Sequence, residues 1–116
     1  MGDISARFNR SEFECKCGCG FDTVDSELLH VLELVRVQFD APVTITSGCR
    51  CEVHNSKIGG SDDSKHKYGR AADFKVAGIA PEKVYEFLDQ RFPDDFGIGL
   101  YSSWVHIDSR NERVRW

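Results

Sequence analysis

Three side chains of this sequence have the types and placement to do chemistry together: His66, Asp73 and His106. A catalytic zinc takes three protein ligands, usually imidazole and carboxylate, and keeps a fourth position open for water. The run Ser64-Lys65-His66-Lys67-Tyr68-Gly69-Arg70-Ala71-Ala72-Asp73 supplies a histidine from a loop and an aspartate from the strand that follows it. Strand alternation sets Ala72, Phe74 and Val76 on one face and turns Asp73 to the other. By the same rule Val105 and Ile107 face the core, while His106 and Asp108 share the opposite face. If the two strands pair, both strand-borne groups project from one side of the sheet. Alternation alone reads the same three residues equally well as ordinary surface polar groups.

The elements that must position these groups are legible in outline. Asp25 caps a helix in which Leu28, Leu32, Val35 and Phe39 recur at helical spacing, with Leu29, Val31 and Leu34 widening the apolar face. The helix should end near Asp40, because Pro42 cannot continue it. Val43 to Thr46 is β-branched and alternating, which predicts a strand. A long irregular stretch from Ser47 to Tyr68 follows, rich in glycine and polar residues and including Ser61, Asp62 and Asp63; loops of that length in a small domain are usually functional or disordered. Arg70 to Val76 predicts a second strand. Pro81 suits the first turn of another helix, striped by Val84, Phe87 and Leu88. Gly97 to Tyr101 and Trp104 to Asp108 flank Ser102 and Ser103 as a hairpin. The fold expected is α+β, a small antiparallel sheet with helices packed on one face and the zinc site on the other.

Composition narrows the function classes. A chain of 116 residues is the size of one domain, so residues 1–116 are expected to form a single unit, acting as a monomer. An apolar fraction of 41% and a charged fraction of 29% are ordinary, and the net charge of −4 argues against nucleic acid as partner. Met1 to Arg10 lacks the apolar stretch of a signal peptide, and no run is long enough for membrane insertion. Cytoplasmic synthesis is expected, which does not fix where the protein works. Five cysteines fall into two groups, Cys15, Cys17 and Cys19, then Cys49 and Cys51. Free packed thiols, disulfides and a cysteine metal site all remain open, although C-x-C is tighter than the usual zinc spacing and a cytoplasmic origin argues against permanent bridges.

The pattern S-x-H-x-x-G-x-A-x-D from Ser64 to Asp73 resembles the signature of the zinc D-alanyl-D-alanine carboxypeptidases and related phage endolysins, which share a fold with the hedgehog signalling domain. Three further pieces match in order. Ser47-Gly48-Cys49-Arg50 resembles the family's S-G-x-R turn. His54-Asn55 with Gly59-Gly60 resembles the loop after it, and Gly97 to Tyr101 leading to Val105-His106-Ile107-Asp108 resembles the closing hairpin. Four pieces in order are a specific signal where one would be weak.

The resemblance implies that His66, Asp73 and His106 bind Zn2+ and that the substrate is a peptidoglycan stem or cross-bridge peptide, met at the cell wall after release. It sets Arg50 near the site, where a guanidinium could hold a substrate carboxylate or steady an oxyanion. Several relatives carry a catalytic Glu or Asp three residues before the last histidine ligand, where this chain has Ser103. Asp108 is the nearest replacement, either as proton acceptor or as the group that orients a ligand histidine, and orientation is the commoner arrangement. Tyr101, Asp94 and Asp95 are weaker candidates for proton transfer. His54, Tyr68, Tyr101 and Trp104 are candidate substrate contacts, with loop bracing or packing as the plain alternative. His30, on the first helix, reads as structural. The functions in competition are a zinc peptidase of cell-wall peptides, a zinc-retaining but inactive wall-peptide-binding or phage structural module, and, more remotely, a thiol-based redox or metal-handling protein.

Overall fold

A computed structural model of the protein describes residues 8–20, 22, 24–60 and 64–116. Residues 1–7 of the N-terminal stretch, and Ser61, Asp62 and Asp63 of the long loop, lie outside the described residues. The elements run α1 (Ser26–Phe39), β1 (Val43–Ser47), α2 (Glu52–Lys57), β2 (Ala71–Val76), α3 (Pro81–Arg91), β3 (Gly97–Leu100), β4 (Val105–Asp108) and β5 (Val114–Arg115). The fold is α+β, as expected. The strands form one sheet in the order β1-β2-β4-β3-β5. Its first four strands pair antiparallel; the two-residue β5 adds a parallel edge beside β3 that the sequence reading did not foresee.

Local chemistry accounts for the boundaries. The Asp25 carboxylate accepts the Leu28 N–H at 3.2 Å, satisfying one of the free donors at the start of α1. Asp40 closes that helix in the left-handed region, φ +46°, just before Pro42. Pro81 stands in the first turn of α3, where its missing N–H costs nothing. Within the stretch read as irregular, the chain forms α2 and a 3-10 turn, Lys65–Tyr68, capped by the Ser64 hydroxyl, which accepts the His66 N–H at 3.2 Å. Both are too short for hydrophobic periodicity to announce them.

One face of the sheet is the core. Cross-strand register sets Val43 beside Val76, Ile45 beside Phe74 and Phe74 beside Val105, then Ala72 beside Ile107 and Ile107 beside Ile98. Leu28, Val31, Leu32 and Val35 of α1, with Val84 and Leu88 of α3, complete that cluster. Phe39 and Phe87 meet edge to face across the two helices at 5.6 Å. Phe74 is fully buried at the centre of the sheet. Phe74→Ala is expected to cost about 3–5 kcal/mol, a large part of an ordinary domain's stability, read as a lowered urea midpoint at unchanged slope.

The other face carries polar groups in register. Asp73 lies between Ser47 of β1 and His106 of β4, with Gly99 of β3 beyond; Asp108 lies between Ala71 and Gly97. Strict alternation would turn Ser47 to the core with Ile45. A β-bulge between Ile45 and Ser47 shifts the register, and the Thr46 hydroxyl donates to the Asp73 carbonyl at 3.1 Å. The bulge swings Ser47 onto the polar face, the re-aiming that bulges provide.

Candidate metal centre and cleft

His66 is held by its backbone neighbours. Its Nδ1 lies 2.6 Å from the Gly48 carbonyl oxygen, which can only accept, so Nδ1 carries the proton and Nε2 presents a lone pair. That Nε2 is buried and makes no hydrogen bond. Buried polar atoms are rarely left so, and this one faces Asp73 Oδ1 at 3.4 Å. Asp73 Oδ1 is in turn 2.8 Å from His106 Nδ1, and the His66 and His106 rings stand 5.2 Å apart, near-perpendicular. One ligand atom from each of the three lies within 4.8 Å of the others. Nitrogen and oxygen ligands at about 2.0–2.1 Å from a tetrahedral zinc sit about 3.4 Å apart, so the set fits a zinc ion with only slight adjustment.

Asp108 is spoken for. Its side chain is fully buried; Oδ2 lies 2.9 Å from His106 Nε2 and accepts from Arg110 NH2 at 2.8 Å. Oδ1 accepts from Arg110 Nε at 2.7 Å and from the Gly97 N–H at 3.2 Å. Gly97 must be glycine here, since a Cβ would stand 2.5 Å from Asp108 Oδ2 and 2.7 Å from Arg110 Nε. Burial alone would raise the Asp108 carboxyl, but hydrogen bonds to His106 and Arg110 outweigh it and hold the group well below the usual carboxylate range. Asp73 is treated the same way by burial and by His106 and His66. Burial opposes a charged His106, yet its bonds to Asp108 and Asp73 raise it above the ordinary imidazole value. Asp108, with both oxygens engaged, has the geometry of a group that orients His106 through Nε2–H, so that Nδ1, which meets Asp73 Oδ1, is the ring atom turned toward the other candidate ligands.

Arg50 closes the other side. Its Nε donates to the Ser47 hydroxyl at 3.2 Å and its NH1 to the Asn55 side-chain oxygen at 3.2 Å, while NH2 lies 3.5 Å from Asp73 Oδ2. Burial draws the guanidinium below its ordinary value, against the pull of Asp73. Around these groups opens a cleft of about 730 Å³. His66, Asp73, His106, Asp108 and Arg50 line it together with Tyr101 and Trp104. The Tyr101 and Trp104 rings stack at 4.6 Å, nearly parallel.

Other expected contacts fall elsewhere. His54 sits in α2 and Tyr68 is exposed at the end of its 3-10 turn; neither is among the residues that line the cleft. Asp94 and Asp95 are exposed outside it, as is His30 on α1. Ser103 borders a separate small cavity under α3. Sequence reading missed Trp116 and Arg110. Trp116 covers Gly99, packs 5.0 Å from His106 and donates its Nε1–H to the Tyr101 hydroxyl at 2.8 Å. Only the β5 pairing brings it there, and two residues of strand give no periodic signal.

Among the described residues, no helix is long and apolar enough to cross a membrane. Comparison with curated proteins finds no match. The family model described as Peptidase M15 matches residues 6–108, from the N-terminal segment through the last residue of β4, and takes in His66, Asp73, His106 and Asp108. With that span covered, the chain belongs to the Peptidase M15 family of zinc peptidases of the D-alanyl-D-alanine carboxypeptidase and endolysin type.

Proposed function

We propose that this protein is a zinc peptidase that hydrolyses an amide bond in a peptidoglycan stem or cross-bridge peptide, with His66, Asp73 and His106 as the zinc ligands. The observation that carries the reading is the buried His66 Nε2, a lone pair with no hydrogen bond, aimed at Asp73 and His106. A zinc ion supplies Lewis acidity to a scissile carbonyl and a lowered pKa to water. The protein's own groups do the rest. Gly48 fixes the His66 tautomer and Asp108 fixes that of His106. Arg50, braced by Ser47 and Asn55, offers a permanent positive charge to a substrate carboxylate or to the developing oxyanion. Tyr101, Trp104 and Trp116 wall the cleft with flat apolar surfaces, and its volume suits a short peptide.

The test is release of peptide fragments or of D-alanine from purified cell walls by the zinc-loaded protein. Hydrolysis that disappears in His66→Ala is expected; turnover unaffected by that substitution would refute the reading. A second reading, a zinc-retaining module that binds wall peptides without cutting them, is favoured by one feature. The carboxylates among the cleft's described lining residues are Asp73 and Asp108, both engaged, and position 103 is serine. Zinc uptake without hydrolysis of any wall type would select it.

A further inference from the structure

Four of the five cysteines converge away from the cleft. The Sγ atoms of Cys15, Cys17, Cys19 and Cys51 all lie within 4.8 Å of one another, with Cys15 to Cys17 and Cys17 to Cys51 each at 3.5 Å. Four thiolates bound to a zinc ion at about 2.3 Å stand about 3.8 Å apart by tetrahedral geometry, inside that range. A single thiol–thiol contact gathers two sulfurs and leaves the other pair unexplained. The backbone is shaped for the set. Gly18 and Gly20, each following a cysteine, have φ of +80° and +89°, and the Gly18 N–H donates to the Cys15 carbonyl at 3.2 Å. The left-handed turn at Gly18, which glycine enters without penalty, curls a C-x-C-x-C run that would otherwise be too tightly spaced to converge. Backbone N–H groups point at sulfur as well: Cys51 N–H donates to Cys15 Sγ at 3.3 Å, and His54 N–H to Cys51 Sγ at 3.4 Å. Such bonds favour the thiolate, the ligating form. Cys49, next but one to Cys51, is buried and stays outside the group.

We propose that Cys15, Cys17, Cys19 and Cys51 hold a second, structural zinc, fully coordinated by sulfur and distinct from the ion of the cleft. Four soft thiolates in a tetrahedral arrangement suit zinc, and each thiol gives up its proton on binding. The ion ties the segment containing Phe13 to the loop that carries Arg50. The two already touch: Cys49 N–H donates to the Phe13 carbonyl at 2.9 Å, and a Cβ on Gly48 would stand 2.5 Å from Phe13 Cα. Gly48 is the residue whose carbonyl sets the His66 tautomer. The second zinc therefore braces the first site from behind without touching substrate.

Zinc content and zinc-edge X-ray absorption test this without reference to activity. The protein purified under reducing conditions should carry two zinc ions per chain. The His66→Ala/His106→Ala variant, with every cysteine intact, should keep one, surrounded only by sulfur at about 2.3 Å. Cys17→Ser/Cys19→Ser should also keep one, with nitrogen and oxygen neighbours only. Should that cysteine variant fail to fold, the histidine variant still tests the proposal. Cys49→Ala should retain both ions. After denaturation with a chelator and no reductant, five titratable thiols are expected. A histidine variant that holds no zinc, iron in place of zinc, or fewer than five thiols would overturn the assignment.

Discussion

Asp108→Asn is expected to weaken zinc binding about 10- to 100-fold while leaving the fold intact, because it changes which nitrogen of His106 bears the proton. The native carboxylate faces donors on every side: Arg110 Nε, the Arg110 backbone N–H and the Gly97 N–H on one oxygen, Arg110 NH2 and His106 Nε2–H on the other. An asparagine of the same shape must turn its amide NH2 toward one of them. Turning it to His106 leaves the oxygen for Arg110 Nε and Gly97, the arrangement with fewer opposed donors. The Asn NH2 then donates to Nε2, the ring proton is held on Nδ1 beside Asp73, and the Nδ1 lone pair that an ion would need is lost. Zinc competition with a chelating indicator measures the affinity, and nitrogen chemical shifts of the imidazole report the tautomer. Affinity unchanged by the substitution would mean that Asp108 is only a structural partner of Arg110.

Arg50→Ala is expected to lower turnover about 10²–10³-fold, the usual cost of removing a donor aimed at developing negative charge. Its two candidate roles separate kinetically. If the guanidinium steadies the oxyanion, kcat falls and KM changes little, for any substrate. If it holds a terminal carboxylate, KM rises for peptides ending in a free D-alanine and stays level for amidated or internal bonds. Arg50→Lys should not rescue the variant fully, because a lysine cannot reproduce the forked contacts to Ser47 and Asn55. Full activity in both variants would remove Arg50 from the reaction.

Much of this architecture was readable from residue order alone, and the reasons differ by element. α1 and α3 announce themselves through Asp25, Pro81 and apolar stripes long enough to repeat, and β2 and β4 through clean alternation around Phe74 and Ile107. That alternation also turned Asp73, His106 and Asp108 to one face, which is why the strand-borne part of the site was legible. His66 was not, since a loop residue has no face until the loop folds; only the resemblance singled it out. The bulge at Thr46 that delivers Ser47 to Arg50 breaks the period on which such reading depends. Trp116 depends on a two-residue strand pairing with β3, and the cysteine convergence on a left-handed turn at Gly18, in a segment remote in sequence from Cys51. These are consequences of backbone conformation and long-range register, which residue spacing does not encode.

The proposed chemistry requires His66, Asp73 and His106 to share one ion. Diffraction from zinc-soaked crystals, recorded on both sides of the zinc absorption edge, tests it most directly. An anomalous peak is expected about 2.0–2.1 Å from His66 Nε2, an Asp73 carboxylate oxygen and His106 Nδ1, with the Asp108 contact to Nε2 preserved. No peak in the cleft at saturating zinc, or a peak held by other residues with His66 Nε2 still uncoordinated, would contradict it.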